Sequence, residues 1–265
     1  MNSSIVVIRR FKPEDQKQVS KLIYEGTMIT VNRFFYQFLT REAFLQTVVL
    51  FTALTFIFMR VHLFTAVFAS LPIVVVLAYL CIWGAHFYKV KYLHPDMQDV
   101  EKTYMSSDKT SFIVAEAFYN DIKDDRVIPT FINESELERM DGCGPLLKEK
   151  MMHHEIVGTV AITRAKDSSV IAWLRRMVVT KNWRRKQVGA HLVDAAVKFC
   201  SQKGFVGIEL LTTECHDSAK CLYEKKGFIV EAFYHKKFLG LFSFAVMMQL
   251  MHFKTRPFKS TALNL

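Results

Sequence analysis

The chain reads as an α/β domain built on a mixed central sheet flanked by helices, with an apolar helical hairpin inserted near its start. Three observations predict this. Strand-type runs alternate with helix-type runs from residue 111 onward. A strand and a helix precede a long uncharged block, and glycine or proline marks most changes of pattern. At 265 residues the length suits one well-filled core.

The opening run Ile5–Arg10 predicts a strand, and Lys12–Met28 predicts a helix that starts near Pro13. From Ala43 to Met59 there is no charge; Arg60, Val61 and His62 interrupt; Leu63 to Tyr88 again has no acidic residue, lysine or arginine. Each half approaches the span of a membrane helix, and neither has the polar face of a soluble core helix. Pro72 is expected to kink or break the second half. Ser111–Phe118, Glu155–Arg164 and Ile171–Val179 read as strands, and Gly158 invites close backbone approach. A helix follows over Gln187–Lys203, ended by Gly204, then a strand over Phe205–Thr212. A helix over Ser218–Lys225 ends at Gly227, and Ile229–Tyr234 with Phe244–Phe253 forms a last hairpin.

Two segments keep two readings each. The polar stretch 119–154, with Pro129 and Gly142-Cys143-Gly144-Pro145, is a substrate-side flap or plain disorder. The apolar link Phe238–Phe244 packs in the core, or dips into a membrane interface beside Lys236 and Lys237. The expected division is residues 1–40 as the first strand and helix, 41–88 as the hairpin, 89–256 as the main domain and 257–265 as a tail.

If the first strand shares a sheet with those after residue 110, both flanks of the hairpin lie on one side. An even number of crossings, or a re-entrant loop, follows. Arg33, Arg41, Lys89 and Lys91 flank the outer ends and place the globular part in the cytoplasm. The apolar fraction of 51% and the net charge of +10 suit an anionic lipid face and a phosphate-bearing cofactor. The basic residues are scattered and form no nucleic-acid motif, so no nucleic acid partner is expected. Five cysteines without C-x-x-C spacing argue against a disulfide frame, and no metal site is expected. The N-terminal apolar run is too short for a signal peptide.

The chemistry-bearing stretch runs from Arg175 to Ala190: a strand end, a basic turn and a glycine as a helix opens. Helix N-termini present unpaired N–H groups and a partial positive charge, which suit a pyrophosphate reinforced by Arg184, Arg185 and Lys186. Gly189 permits close approach of backbone and ligand. By itself the stretch is equally a solvated basic turn before an amphipathic helix. It is neither a dinucleotide fingerprint nor a Walker loop.

A second stretch, Ser218–Phe228, lies about thirty residues on. Together the two resemble the signature regions of the GNAT superfamily of acetyltransferases. Arg184 and Gly189 match the R/Q-x-x-G-x-G/A loop, and Ala219, Leu222, Tyr223, Gly227 and Phe228 match A-x-x-L-Y-x-x-x-G-F. With the opening strand and helix and the apolar insert, the chain is similar to the camello-like, membrane-bound branch of the endoplasmic reticulum. That resemblance implies a GNAT-like sheet with acetyl-CoA as co-substrate, lying between the Trp173–Val179 and Phe205–Thr212 strands. It implies that backbone groups of Met177, Val178 and Val179 hold the pantetheine arm. Amides over Arg184, Arg185, Lys186, Gln187, Val188, Gly189 and Ala190 hold the pyrophosphate. Tyr223 is the general acid on the departing thiolate; otherwise it is a packing aromatic beside Leu222.

Two departures stand out. Gln187 occupies the loop's first glycine position, and Trp173 stands where many relatives carry a glutamate that serves as base. His216, Glu209 or no dedicated group remains for that task. The implied activity is N-acetyl transfer to the primary amine of a small amino-acid-type acceptor, such as a cysteine S-conjugate, at the endoplasmic reticulum membrane. Acetylation of protein lysines in the secretory pathway and a non-catalytic CoA-binding scaffold are the alternatives. Retention of Tyr223 speaks against a scaffold. Oligomeric state is not legible.

Overall fold

A computed structural model describes residues 4–92, 94–119, 129–139, 153–166, 168–238 and 244–255. The chain begins with β1 (Ile5–Arg10) and α1 (Gln16–Met28), then α2 (Val31–Leu39), α3 (Glu42–Met59) and α4 (Leu63–Tyr92). After two short helical turns come β2 (Ser111–Tyr119), β3 (Thr130–Asn133), α5 (Glu134–Arg139), β4 (His153–Arg164) and β5 (Ile171–Val179). The remainder is α6 (Val188–Gln202), β6 (Gly207–Thr213), α7 (Asp217–Lys225), β7 (Ile229–Phe238) and β8 (Phe244–Lys254).

The strands form one mixed sheet in the order β3-β1-β2-β4-β5-β6-β8-β7. The expected strands are present, and β3 is an addition: a four-residue strand parallel to β1 that follows Pro129. Most of the polar stretch around it, and the centre of the Phe238–Phe244 link, lie outside the described residues, as does the tail.

Two apolar layers cover the sheet. On one face α6 and α7 pack Leu192, Val193, Ala196 and Tyr223 against Val160, Ile162, Leu174 and Leu210. On the other, α1 sets Val19, Leu22 and Ile23 beside Phe112, Val114 and Ile156, joined by Met97, Val100 and Tyr104 from the turns after α4. Arg9 is 6% exposed and sits between Asp15 and Glu116, with Nε 2.7 Å from Glu116 and Nη1 2.6 Å from Asp15. Buried charge is tolerated there because each group is paired and hydrogen-bonded.

β1 lies inside this sheet, between β3 and β2, so both flanks of the inserted hairpin return to the same side. Residues 31–39, left without an element in the sequence reading, form α2. α3 has 18 residues and α4 has 30, roughly 27 and 45 Å at 1.5 Å per residue. Both are long and apolar enough to cross a membrane. They meet at Thr52 Oγ1, 2.7 Å from Ser70 Oγ, and Ala66, Ser70 and Val74 of α4, spaced four apart, are almost fully buried. Small residues and hydroxyl pairs at this seam allow close helix approach without a water-driven core. The outer faces carry uncovered apolar side chains, including Phe58, Phe64 and Phe68. Pro72 does not break α4, which continues through it to Tyr92, a turn beyond the expected boundary.

Candidate active site

β5 and β6 run parallel and in register from Ile171–Gly207 to Leu174–Leu210, and then part. β5 continues to Val179 paired only with β4, through Thr159–Val178 and Gly158–Val179. Among the described residues no strand pairs the β6-facing edge of Arg175–Val179. A β-bulge lies at the same place. The register slips between Thr159 and Ala161, so Arg176 and Met177 stand opposite Val160, and Arg176 has φ 55°. Bulges bend a strand and interrupt pairing, which opens a wedge between neighbours.

The basic turn follows β5. Its anchor is Trp183, 3% exposed, whose Nε1 donates to Glu155 Oε1 at 3.1 Å. Thr180 N–H donates to the Val157 carbonyl, and Lys186 Nζ stands 5.3 Å from the Trp183 ring centroid. Arg184 turns back so that its Nε donates to the Val179 carbonyl at 3.1 Å. Arg185 and Gln187 both take left-handed conformations, φ 61° and 65°. The glycine absent at Gln187 therefore has a physical meaning: the loop requires positive φ there, and this chain meets the requirement with a side chain attached, at a cost of about 1 kcal/mol.

The first helical bond of α6 runs from His191 N–H to the Gln187 carbonyl. The N–H groups of Val188, Gly189 and Ala190 therefore precede the helical ladder. A Cβ on Gly189 would lie 3.1 Å from Leu222, 3.4 Å from Met177 and 3.8 Å from Val179. Gly189 is thus where α6, α7 and the free edge of β5 converge. Gly158 does the same from β4, with 2.8 Å left between a Cβ there and Leu192. From the opposite face α1 closes on β5, since a Cβ on Gly26 would stand 2.5 Å from Val178.

Tyr223 lies on α7 directly after Leu222, 5% exposed and beside Phe228 at 5.6 Å between ring centroids. Burial raises its phenol above the ordinary tyrosine value, so the proton is held firmly at neutral pH. His216 caps the same helix, with Nδ1 2.6 Å from Thr213 Oγ1. Burial, with Lys89 and Arg33, pushes it down to about 4, and the imidazole is neutral at pH 7. Glu209 is on the paired part of β6, in register with Trp173 on one side and His252 on the other. Its Oε1 lies 3.7 Å from His252 Nδ1, and Glu231 completes a group whose ligand atoms all fall within 4.8 Å. The sequence reading did not foresee that grouping.

It also missed how the turn bearing His216 is held. Arg33 of α2 donates to the Cys215 carbonyl at 2.8 Å, Arg41 pairs with Glu214 at 2.7 Å, and Cys215 Sγ donates to Gln37 Oε1. The helix that leads into the apolar hairpin therefore docks on the loop between β6 and α7. Only contacts distant in sequence make this visible.

The profile of the acetyltransferase (GNAT) domain matches residues 147–230, a span that contains the bulge, the basic turn, Gly189 and Tyr223. The chain carries a GNAT acetyltransferase domain. Over 224 residues it is 26% identical to a probable N-acetyltransferase camello of Xenopus tropicalis, covering 84% of this chain and 85% of that one. N-acetyltransferase family 8 member 3 of Rattus norvegicus is 25% identical, over 83% of this chain and 82% of the relative. A crystal structure of an acetyltransferase from Bacillus anthracis, in complex with acetyl coenzyme A, aligns with 62% of this chain and 70% of its own. It does so at 17% identity and a TM-score of 0.40. The GNAT domain takes in both signature stretches and the strands between which the wedge opens.

Proposed function

We propose that this chain is a membrane-anchored N-acetyltransferase that moves an acetyl group from acetyl-CoA to the primary amine of a small amino-acid-type acceptor, such as a cysteine S-conjugate. The observation that carries the reading is the parting of β5 from β6 beyond Leu174 and Leu210, with the free amides of α6 beside it. The residues present fit the cofactor. The unpaired edge of β5 matches the amide-bearing pantetheine arm, and Val188, Gly189 and Ala190 offer N–H groups to a pyrophosphate. Thr180 Oγ1, buried without a protein partner, adds a polar atom at the end of β5. The names of the relatives support N-acetyl transfer.

Acetyl-CoA supplies an activated thioester. Met177, Val178 and Val179 orient it along the strand edge, and the basic turn carries compensating charge. Tyr223 holds a proton for the departing sulfur; burial raises its phenol and makes it a weaker acid than an exposed tyrosine, so its contribution rests on position rather than acidity. The base is less demanding. His216 is neutral, and its Nδ1 is engaged with Thr213 Oγ1 at 2.6 Å. Glu209 supplies a carboxylate one strand over from Trp173, where many relatives carry theirs. We therefore assign proton removal from the amine to Glu209 in preference to His216.

α3 and α4 anchor the domain, which spans residues 1–40 and 89–256, to the endoplasmic reticulum membrane with its site facing the cytoplasm. Support comes from their uncovered apolar faces and from an aromatic belt at the end of α4. There Trp83 stacks on Phe87 at 5.5 Å, and Lys91 Nζ lies 5.3 Å from the Tyr92 ring. The test is CoA release by detergent-purified protein against S-substituted cysteines, aspartate, polyamines and lysine peptides. Tyr223→Phe should lower kcat by roughly 100-fold while acetyl-CoA affinity stays within about twofold. Wild-type turnover by that variant would remove Tyr223 from the reaction.

A further inference from the structure

The bulge that opens the wedge is held from outside the sheet. Arg176, the residue with φ 55°, sends its guanidinium to Asp96, with Nη2 2.6 Å from Oδ1 and Nε 2.8 Å from Oδ2. Both side chains are 11% exposed. The Tyr104 hydroxyl donates to the same carboxylate, and Tyr104 is fully buried. On the other side, Thr159 Oγ1 donates to the Arg176 carbonyl at 2.9 Å. Asp96 is itself fixed. It lies four residues past the end of α4, and Gln16 of α1 brackets its turn, donating to the Met97 carbonyl at 2.7 Å and accepting from Val100 N–H at 3.2 Å.

A residue with a Cβ does not take positive φ without cost, and the two-point grip of the carboxylate on the guanidinium offsets it. Burial alone would raise the Asp96 carboxyl; the bonds from Arg176 and Tyr104 outweigh it and hold the group at about 2, ionised throughout the physiological range. A bidentate pair also fixes direction, because the planar fork accepts the carboxylate in one orientation. The clamp sits immediately before Met177–Val179, the edge assigned to the pantetheine arm.

We propose that Asp96 and Arg176 are positioning residues that keep β5 bent away from β6, so that the segment following the membrane hairpin sets the geometry of the acetyl-CoA cleft. The inference rests on the acetyl-CoA reading of that edge. It separates two functions of one residue. Arg176 supplies a bent backbone, and its side chain supplies the force that keeps the backbone bent.

Glycine distinguishes these roles, since it takes positive φ freely. The experiment uses full-length protein in detergent, with acetyl-CoA affinity measured by calorimetry and folding followed by thermal melting. Asp96→Ala should weaken acetyl-CoA binding roughly tenfold, as expected of a small misplacement transmitted to a binding edge. Asp96→Ala combined with Arg176→Gly should recover affinity to within about threefold of wild type, because the bend no longer needs a clamp. Asp96→Ala combined with Arg176→Leu also removes the unpaired charge but keeps a Cβ at φ 55°, and should stay weakened; a merely structural ion pair would recover equally in both double variants. The glycine double variant carries no unpaired buried charge, so it reports even where Asp96→Ala alone does not fold. Wild-type affinity in Asp96→Ala, a glycine double variant still about tenfold weakened, or equal recovery in both double variants would overturn the proposal. If the wild-type chain binds no acetyl-CoA, the cofactor reading fails first and the clamp loses its function with it.

Discussion

The two halves of the sheet are built differently. In β2 every residue from Ser111 to Tyr119 is buried, whereas in β5 only Ala172 and Leu174 are. In the first half, β1, β2 and the centre of β4 are covered on both faces and pinned by the Arg9 ion network, while β3 forms the edge. The second half, from β5 onward, loses a strand pairing, carries three left-handed non-glycine residues between Arg176 and Gln187, and relies on contacts from α2 and the turns after α4. A fully covered sheet is over-determined and rigid, which allows its neighbour to keep an open edge and strained backbone. The candidate chemistry lies in the half that is less complete.

That contrast can be broken most forcefully in the covered half. Arg9→Ala leaves Asp15 and Glu116 buried without their cation and should cost about 3–5 kcal/mol, read as a fall in thermal midpoint. Acetyl-CoA affinity per folded molecule should hold. A variant that melts like wild type would show that the two halves do not divide support from function in this way.

A pH titration sharpens the comparison next. His94 and His216 both lie beside the open half, and burial, aided by neighbouring cations, pushes each down to about 4. Both are neutral when folded, while the unfolded chain takes up their protons below the ordinary histidine value. Stability is therefore complete above about pH 6.5 and falls between there and pH 4. Thermal midpoints measured across this window should decline, and His94→Gln with His216→Gln should flatten the decline. An unchanged slope would mean that neither imidazole is held neutral by the fold.

The smallest effect belongs to the basic turn. Gln187→Gly removes the Cβ from a position at φ 65° and should stabilise the chain by about 0.5–1 kcal/mol, visible as a small rise in melting temperature. A fall would mean that the glutamine side chain contributes more than its backbone conformation costs.

Most of the fold was legible because its elements declare themselves locally. The apolar stripe of α6, the punctuation at Gly204 and Gly227 and the uncharged lengths of α3 and α4 are periodic or compositional signals. Where local signals are weak, elements were missed. β3 has only the four residues Thr130–Asn133, α5 only six, and α2 mixes aromatic and polar residues without caps. The loop over Arg184–Ala190 and the Tyr223 region stand out in the sequence because their spacing is local to one turn and one helix. Asp96 was not, since HPDM carries no local mark of an arginine eighty residues later.

What the sequence determined by itself is the order of the longer strands and helices, the apolar hairpin and the two signature stretches, because helix period, strand run and turn chemistry act over a few residues. The tertiary structure alone decided that β5 and β6 part after Leu174 and Leu210, that Gln187 must bear a left-handed backbone, and that Asp96 grips Arg176. The first and the last depend on groups brought together from distant parts of the chain. Their energies come from burial and charge pairing that no window of neighbouring residues contains.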